Sequence, residues 1–362
     1  MKTVRLNLKD RSYDILIGFN ILSRLGSALK KMDIGPDAYI VTNAFIKNRY
    51  GNALEKTLRA SGISVKFRTI PDSEESKSIE ITSGILKDLA NYDKGKRVFI
   101  AAFGGGVVGD VAGFVASIYK RGIPYIQIPT TLLAQVDSAI GGKTAVDLAQ
   151  GKNLVGAYYQ PRLVFSELGF LKSLDARQVR SGLAEVIKYG IIKDAKLFRY
   201  LEKNLRNPAC PGPAALEYIV SACSRIKAGI VSRDEKEKLG LRTVLNFGHT
   251  AGHAIEAASG YRKYNHGEAL AIGMLIAARI SRSCKLINDA TLNRITQLIA
   301  SAGLPGTIKN MPLQAIMNAF CRDKKFIGSR NRLVLTKGIG RTIIKENIPV
   351  EKIRVAIRER MV

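Results

Sequence analysis

The chain has 362 residues, of which 46% are hydrophobic and 24% charged, and it contains no low-complexity tract. That length favours two domains over a single core, and the apolar content excludes disorder over any long stretch. A formal net charge of +27 gives a positive field that attracts phosphates, nucleic acid or another anionic substrate without choosing among them. The basic residues are dispersed and few aromatic platforms sit among them, so nucleic-acid binding is a remote alternative motivated by charge alone.

The amino terminus, residues 1–18, alternates apolar and polar residues as a strand does and holds no apolar stretch of signal-peptide length. Four short β-branched runs follow, Tyr39 to Thr42, Val65 to Ile70, Val98 to Phe103 and Tyr125 to Ile128, with helical patterns between them. The alternation predicts a Rossmann-like, mostly parallel α/β sheet over residues 1–173, with its ligand cleft beyond the carboxyl ends of the strands. From Ala176 the apolar spacing turns helical over long segments. Pro208, Pro211 and Pro213 mark a loop, and Gly260 and Gly303 mark helix ends. An all-helical second domain is therefore expected over 174–362. Its most apolar run, Ala269 to Ile280, is shorter than the roughly 20 residues that span a bilayer and reads as a buried helix. Cys210, Cys223, Cys284 and Cys321 form no CxxC pair, which argues against a zinc knuckle or a disulfide framework and fits a reducing cytoplasm.

Four constellations could carry chemistry. In the first, the strand from Val98 runs into Gly104, Gly105 and Gly106 and then Gly109-Asp110, a spacing that satisfies GxGxxG. Glycines there let backbone N–H groups approach a pyrophosphate at a helix amino terminus. The motif comes late in the chain, and no acidic residue follows about 20 positions on to hold a ribose, so a plain tight turn is the competing reading. In the second, Pro129 to Thr144 crowds hydroxyls, a carboxylate, glycines and Lys143 together, with Lys152 and Asn153 nearby. Gly141-Gly142-Lys143-Thr144 looks like the tail of a P-loop, but the earlier glycine is missing, which leaves anion binding or helix capping.

In the third, all three histidines of the chain fall between His249 and His266. His249 and His253 are four apart and would share a helix face, where they could clasp one divalent metal, with Glu185 or His266 completing a zinc-like N/O set. In the fourth, Glu185 and Lys188 are three apart among apolar neighbours. They are either a surface ion pair or a partly buried pair serving a metal or a substrate.

Together these segments resemble the dehydroquinate synthase family. The carrying motifs are Pro71-Asp-Ser-Glu74-Glu-Ser-Lys77-Ser, Gly104 to Asp110, Pro129 to Thr144, Gly182 to Gly190, Asn246 to Glu256, His266-Gly-Glu268-Ala and Arg322-Asp-Lys324-Lys325. The resemblance implies a domain holding NAD, a helical domain holding zinc or cobalt, and an active site between the two. Asp72, Glu74 and Lys77 would hold the adenosine end of NAD, which accounts for the acid missing after the glycine motif. Gly105, Gly106, Val107, Val108, Gly109 and Asp110 would meet the pyrophosphate. Thr130, Thr131, Asp137, Lys143, Lys152 and the segment Phe170, Leu171, Lys172 and Ser173 would complete the cofactor site. Ser73 departs from the family, which usually has glycine there.

For the metal, the resemblance implies Glu185, His249 and His266 as ligands and leaves His253 to move a proton, whereas spacing alone would pair His249 with His253. Lys188, Lys143 and Asn153 join His253 as implied catalytic residues. Arg121, Asp137, Lys227, Arg242, Asn246, Lys324 and Lys325 join them around a substrate with two anionic groups. Arg121 would come from a neighbouring subunit of a homodimer. The implied reaction takes 3-deoxy-D-arabino-heptulosonate 7-phosphate to 3-dehydroquinate, with transient oxidation by NAD, loss of phosphate, re-reduction and aldol closure. Two alternatives share the glycine turn and the metal site: sister sugar-phosphate cyclases, and NAD-dependent polyol dehydrogenases, which would lack most of the anion-binding set.

Overall fold

A computed structural model describes residues 1–205, 211–321, 326–327 and 330–362, and the chain in it divides into two compact units. The first comprises Met1–Leu174 and Leu216–Lys236, and the second Asp175–Ala215 and Glu237–Val362.

The strands of the first unit are β1 (Lys2–Leu6), β2 (Tyr13–Gly18), β3 (Asp37–Asn43), β4 (Ser64–Ile70), β5 (Val98–Gly104), β6 (Tyr125–Pro129), β7 (Lys143–Leu148), β8 (Gly151–Tyr158) and β9 (Leu163–Glu167). Seven of them form one sheet in the order β1-β2-β9-β6-β5-β3-β4, parallel except for the β1–β2 pair. β7 and β8 form a separate antiparallel hairpin.

Helices α1 (Leu25–Met32), α2 (Ala44–Ile46), α3 (Asn52–Arg59), α4 (Ile79–Tyr92) and α5 (Gly106–Ile118) lie between the strands, with a π-helical turn, Lys47–Gly51, joining α2 to α3. Side chains alternate across a strand, so each sheet face builds its own core. Ile40, Phe99, Ala101 and Phe103 pack with Leu25, Leu29, Leu54 and Leu58 of α1 and α3. Tyr39, Val41, Ile100 and Ala102 pack with Ile85, Leu89, Val111 and Val115 of α4 and α5. Burial on both faces is why the inner parallel strands β3 and β5 read as continuous apolar runs, whereas β4 at the edge alternates.

The division of the chain is not the contiguous one expected at 173/174. Most of α8 (Pro213–Val231) and the residues up to Lys236 belong to the first unit. Polar contacts fasten this return segment: Lys227 Nζ donates to the Asp137 carbonyl at 2.7 Å, Asn7 N donates to Ser232 Oγ at 3.0 Å, and Glu235 accepts from Arg11 at 2.7 Å and Gln160 at 2.9 Å.

The second unit is mainly helical, with α6 (Ala176–Ile192), α7 (Ala195–Asn204), α9 (His249–Ala258), α10 (His266–Ser283), α11 (Asp289–Ser301), α12 (Leu313–Cys321) and α13 (Val350–Arg358). It is not all-helical. β10 (Phe326–Ile327), β11 (Arg330–Thr336) and β12 (Thr342–Glu346) form an antiparallel sheet whose Leu333 and Leu335 enter the same core as Ile272 and Ile276 of α10. Gly338 and Gly340, at φ 114° and 84°, supply the left-handed backbone of the β11–β12 turn. Gly260 and Gly303 lie just beyond the ends of α9 and α11 with φ near 60°, the position where glycine ends a helix most readily. Among the described residues no helix is long and apolar enough to cross a membrane.

Candidate functional site

Three helices of the second unit carry the histidine cluster. α6 places Glu185 and Lys188 on adjacent turns, each 1% exposed and ion-paired to the other. α10 starts at His266 under a capping box formed by Asn265 and Glu268, and Arg177 forks onto the Glu268 carboxylate with two bonds of 2.7 Å. Gly267 allows α10 to meet α6, since a Cβ at 267 would lie 2.3 Å from Ser181 Cα. α9 starts at His249 directly after Gly248, whose φ of 78° turns the chain against Met274.

These starts bring two imidazoles onto one oxygen. His249 Nε2 lies 3.3 Å and His266 Nε2 3.2 Å from Glu185 Oε1, and donor atoms of all three residues fall within 4.8 Å of one another. A second set, His253, Glu256 and His266, meets the same limit. Among the described residues no such set contains both His249 and His253, so the pairing suggested by spacing alone does not form. Their rings meet edge-on at 84°, and His253 is exposed.

Burial pushes the Glu185 carboxyl up, but the Lys188 ammonium and the bonds from His249 and His266 outweigh it and hold it well below the usual range. Burial and the Lys188 charge lower His249. Burial also lowers His266, but Glu185 and Glu256 reverse this and raise it to about 10. The Phe247 carbonyl, 3.2 Å from His249 Nδ1, can only accept, so it can hold a proton on Nδ1 while Nε2 faces Glu185. An ionised carboxylate and two imidazoles whose Nε2 atoms face it become, once an ion displaces the protons between them, the donors a divalent ion of the zinc type takes, so the residues fit such an ion. Nearby in sequence, Arg242 is 2% exposed and 3.6 Å from Glu237, and Asn246 is half-buried at the end of the 3-10 segment Leu241–Asn246. Lys324 and Lys325 lie outside the described residues.

In the first unit the glycine run sits where β5 gives way to α5. Gly105 is the N-cap and has no side chain to cap the first turn, which leaves a helix start of the kind that can take an anion. Gly109 packs against Gln127, and Asp110 reaches Lys77 at 2.9 Å. Lys77, 5% exposed, also donates to Asn153 Oδ1 at 2.5 Å and faces Glu74 at 3.7 Å, while Lys152 pairs with Glu74 at 3.3 Å. Burial disfavours the Lys77 charge, but the Asp110 and Glu74 carboxylates more than offset it and raise its pKa. Five residues from three separate stretches of the chain thus form one network. Asp72 is exposed just before it, and Ser73 has extended φ and ψ of −148° and 156°, a backbone that does not require the family's glycine.

Thr130 is buried after β6, and Thr131 Oγ1 accepts from Ala134 N. Asp137 pairs with Lys227 at 2.8 Å. Lys143 is exposed at the start of a strand, not a helix, which rules out a P-loop geometry. Phe170 packs on Tyr50 and Phe103 and Leu171 is buried, so only Lys172, Ser173 and the main chain of this segment face outward. Arg121 is exposed at φ 65°, between Lys120 and Gly122, which are also at positive φ. The sequence reading missed Asp147, which accepts from Asn153 N and whose own N–H donates to the Lys77 carbonyl. It also gave no role to Glu256, although that residue lies two helical turns after His249 and hence on the same face.

Two family models match the chain in succession, 3-dehydroquinate synthase N-terminal over residues 67–181 and 3-dehydroquinate synthase C-terminal over 182–326. The 3-dehydroquinate synthase of Caldanaerobacter subterraneus subsp. tengcongensis is 46% identical over 346 residues, covering 95% of this chain and 96% of its own. Among solved structures, 2-deoxy-scyllo-inosose synthase complexed with carbaglucose-6-phosphate, NAD+ and Co2+ matches with a TM-score of 0.90 and 27% identity, over 99% of this chain and 100% of its own. 2-epi-5-epi-valiolone synthase from Streptomyces hygroscopicus subsp. jinggangensis, with NAD+ and Zn2+ bound, matches with a TM-score of 0.88 and 27% identity, over 98% of each chain.

Proposed function

The chain belongs to the 3-dehydroquinate synthase family, and from that premise we propose that it converts 3-deoxy-D-arabino-heptulosonate 7-phosphate to 3-dehydroquinate and phosphate. The observation that carries this reading is the convergence of His249 Nε2 and His266 Nε2 on Glu185 Oε1. Identity favours this substrate over those of the sister cyclases: 46% to a dehydroquinate synthase against 27% to each solved cyclase of another name.

Glu185, His249 and His266 are assigned as ligands of one divalent ion, zinc or cobalt. The β5–α5 turn, with Glu74, Lys77, Asp110 and Lys152, is assigned to NAD, supported by the uncapped helix start and the charge network around it. When bound, the ion would supply Lewis acidity toward a substrate hydroxyl and the cofactor reversible hydride chemistry, so that the net change would be elimination of phosphate and ring closure, a lyase reaction. His253, exposed beside the ligand set, takes the hydroxyl proton. Lys143, Asn153, Lys188, Lys227, Arg242 and Asn246, with Lys324 and Lys325, hold the phosphate and carboxylate, since two anions leaving water together need charged donors. Arg121 serves the substrate of a second copy in a homodimer.

The test is phosphate release from the seven-carbon sugar acid phosphate with less than one equivalent of NAD per substrate. Phosphate should be released in large excess over NAD, with no NADH accumulating. NADH formed in step with turnover would show a polyol dehydrogenase instead, and phosphate release only from other sugar phosphates a sister cyclase.

A further inference from the structure

Glu256 stands outside the assigned ligand set, yet its carboxylate is buried and its Oε1 lies 3.7 Å from Nδ1 of His266. The opposite ring nitrogen, Nε2, lies 3.2 Å from Glu185 Oε1. The imidazole therefore stands between two carboxylates, one on the ligand side and one behind it. A buried carboxylate is expensive without a partner, and this one faces a ring whose other nitrogen is committed to the ligand set.

His249 is backed in the same way, with the Phe247 carbonyl 3.2 Å from its Nδ1. Each inward-facing Nε2 is thus matched by an acceptor behind the ring, neutral for His249 and charged for His266. We infer that Glu256 is a positioning residue for the metal centre: its carboxylate accepts a hydrogen bond from Nδ1–H of His266 and thereby keeps Nε2 aimed at the ion that Glu185 and His249 share. The inference rests on the reading of those three residues as metal ligands. The 3.7 Å separation is about 0.5–1 Å longer than an ordinary hydrogen bond. Carboxylates behind ligating imidazoles fix the tautomer and raise the basicity of the ligand.

The same carboxylate belongs to the second set, His253, Glu256 and His266. Both sets need His266. With Nε2 already on a metal, the second set would have to use Nδ1, and giving up the one proton left on the ring would require an imidazolate. The two sets therefore compete, and only one of them holds an ion at a time.

The experiment titrates zinc into metal-free wild type, Glu256→Gln and Glu256→Ala by chelator competition, without substrate, and records the visible spectrum of each protein loaded with cobalt. Wild type should bind one equivalent. Glu256→Ala should bind it about 10- to 100-fold more weakly with an altered cobalt spectrum. Glu256→Gln should fall between, because its amide oxygen still accepts but carries no charge. NAD+ affinity should be the same in all three, which separates loss of positioning from loss of the fold. Unchanged zinc affinity in both variants would overturn the inference. So would a second equivalent in wild type that the variants lose while the first binds as before. Wild type that binds no ion would overturn the ligand assignment itself.

Discussion

The spacing of Glu185 from Lys188 left open a surface ion pair and a partly buried pair serving a metal or a substrate. Both residues are 1% exposed, which decides for burial, and two imidazoles face the same carboxylate. A buried ion pair of this kind is weak support for stability and a strong pointer to function. The confinement of three histidines to one stretch was legible as a metal signal. Which of them converge was not, because His266 arrives on a different helix and no periodicity relates it to His249. Roles at this scale separate by substitution. His266→Ala should lose metal and activity together, whereas His253→Ala should retain metal, measured by elemental analysis, and turn over about 10²- to 10⁴-fold more slowly, as loss of a proton-transfer group does. Equal metal loss in the two variants would contradict the division.

At the scale of elements, the parallel strands were the most legible part of the fold. Burial on both faces makes 39–42, 98–103 and 125–128 mostly apolar, 65–70 at the sheet edge alternates apolar and polar residues, and each of the four lies inside an observed strand. The β7–β8 hairpin and the β10–β12 sheet escaped notice, because their runs are short and interrupted by charges; Leu333 and Leu335 of the latter join the core of the second unit. The junction of α9 and α10 was equally invisible, since it depends on the absence of a side chain. A Cβ at Gly273 would lie 2.2 Å from the Gly248 carbonyl and 2.7 Å from Gly252 N, backbone that can move only by pushing α9 away. Gly273→Ala should therefore destabilise the protein by about 1–3 kcal/mol in chemical denaturation, as overpacking does, and weaken metal binding by displacing His249. Gly229→Ala in α8, where nothing lies within 4 Å, is the control and should stabilise by about 0.5–1 kcal/mol. Equal effects of the two would show that the close approach does not matter.

Over the whole molecule, the change from alternating to helical pattern near residue 174 gave the first boundary, and the unit limits observed there are Leu174 and Asp175. The return of 216–236 to the first unit was hidden, because it depends on partners such as Asp137 and Lys227, 90 residues apart in sequence. The net charge of +27 says that an anion is expected but not which one. Buried cations such as Lys77, Lys188, Lys227 and Arg242 narrow the field more than the total does, because each is held against a carboxylate, Lys77 on Asp110, Lys188 on Glu185, Lys227 on Asp137 and Arg242 near Glu237. The account as a whole depends on where a metal settles in this chain. Diffraction from zinc-loaded crystals at the zinc absorption edge measures that directly. It should show one anomalous peak per chain, about 2.0–2.2 Å from a Glu185 oxygen and from Nε2 of both His249 and His266. A peak held by His253 and Glu256 instead, or no peak at all, would contradict it.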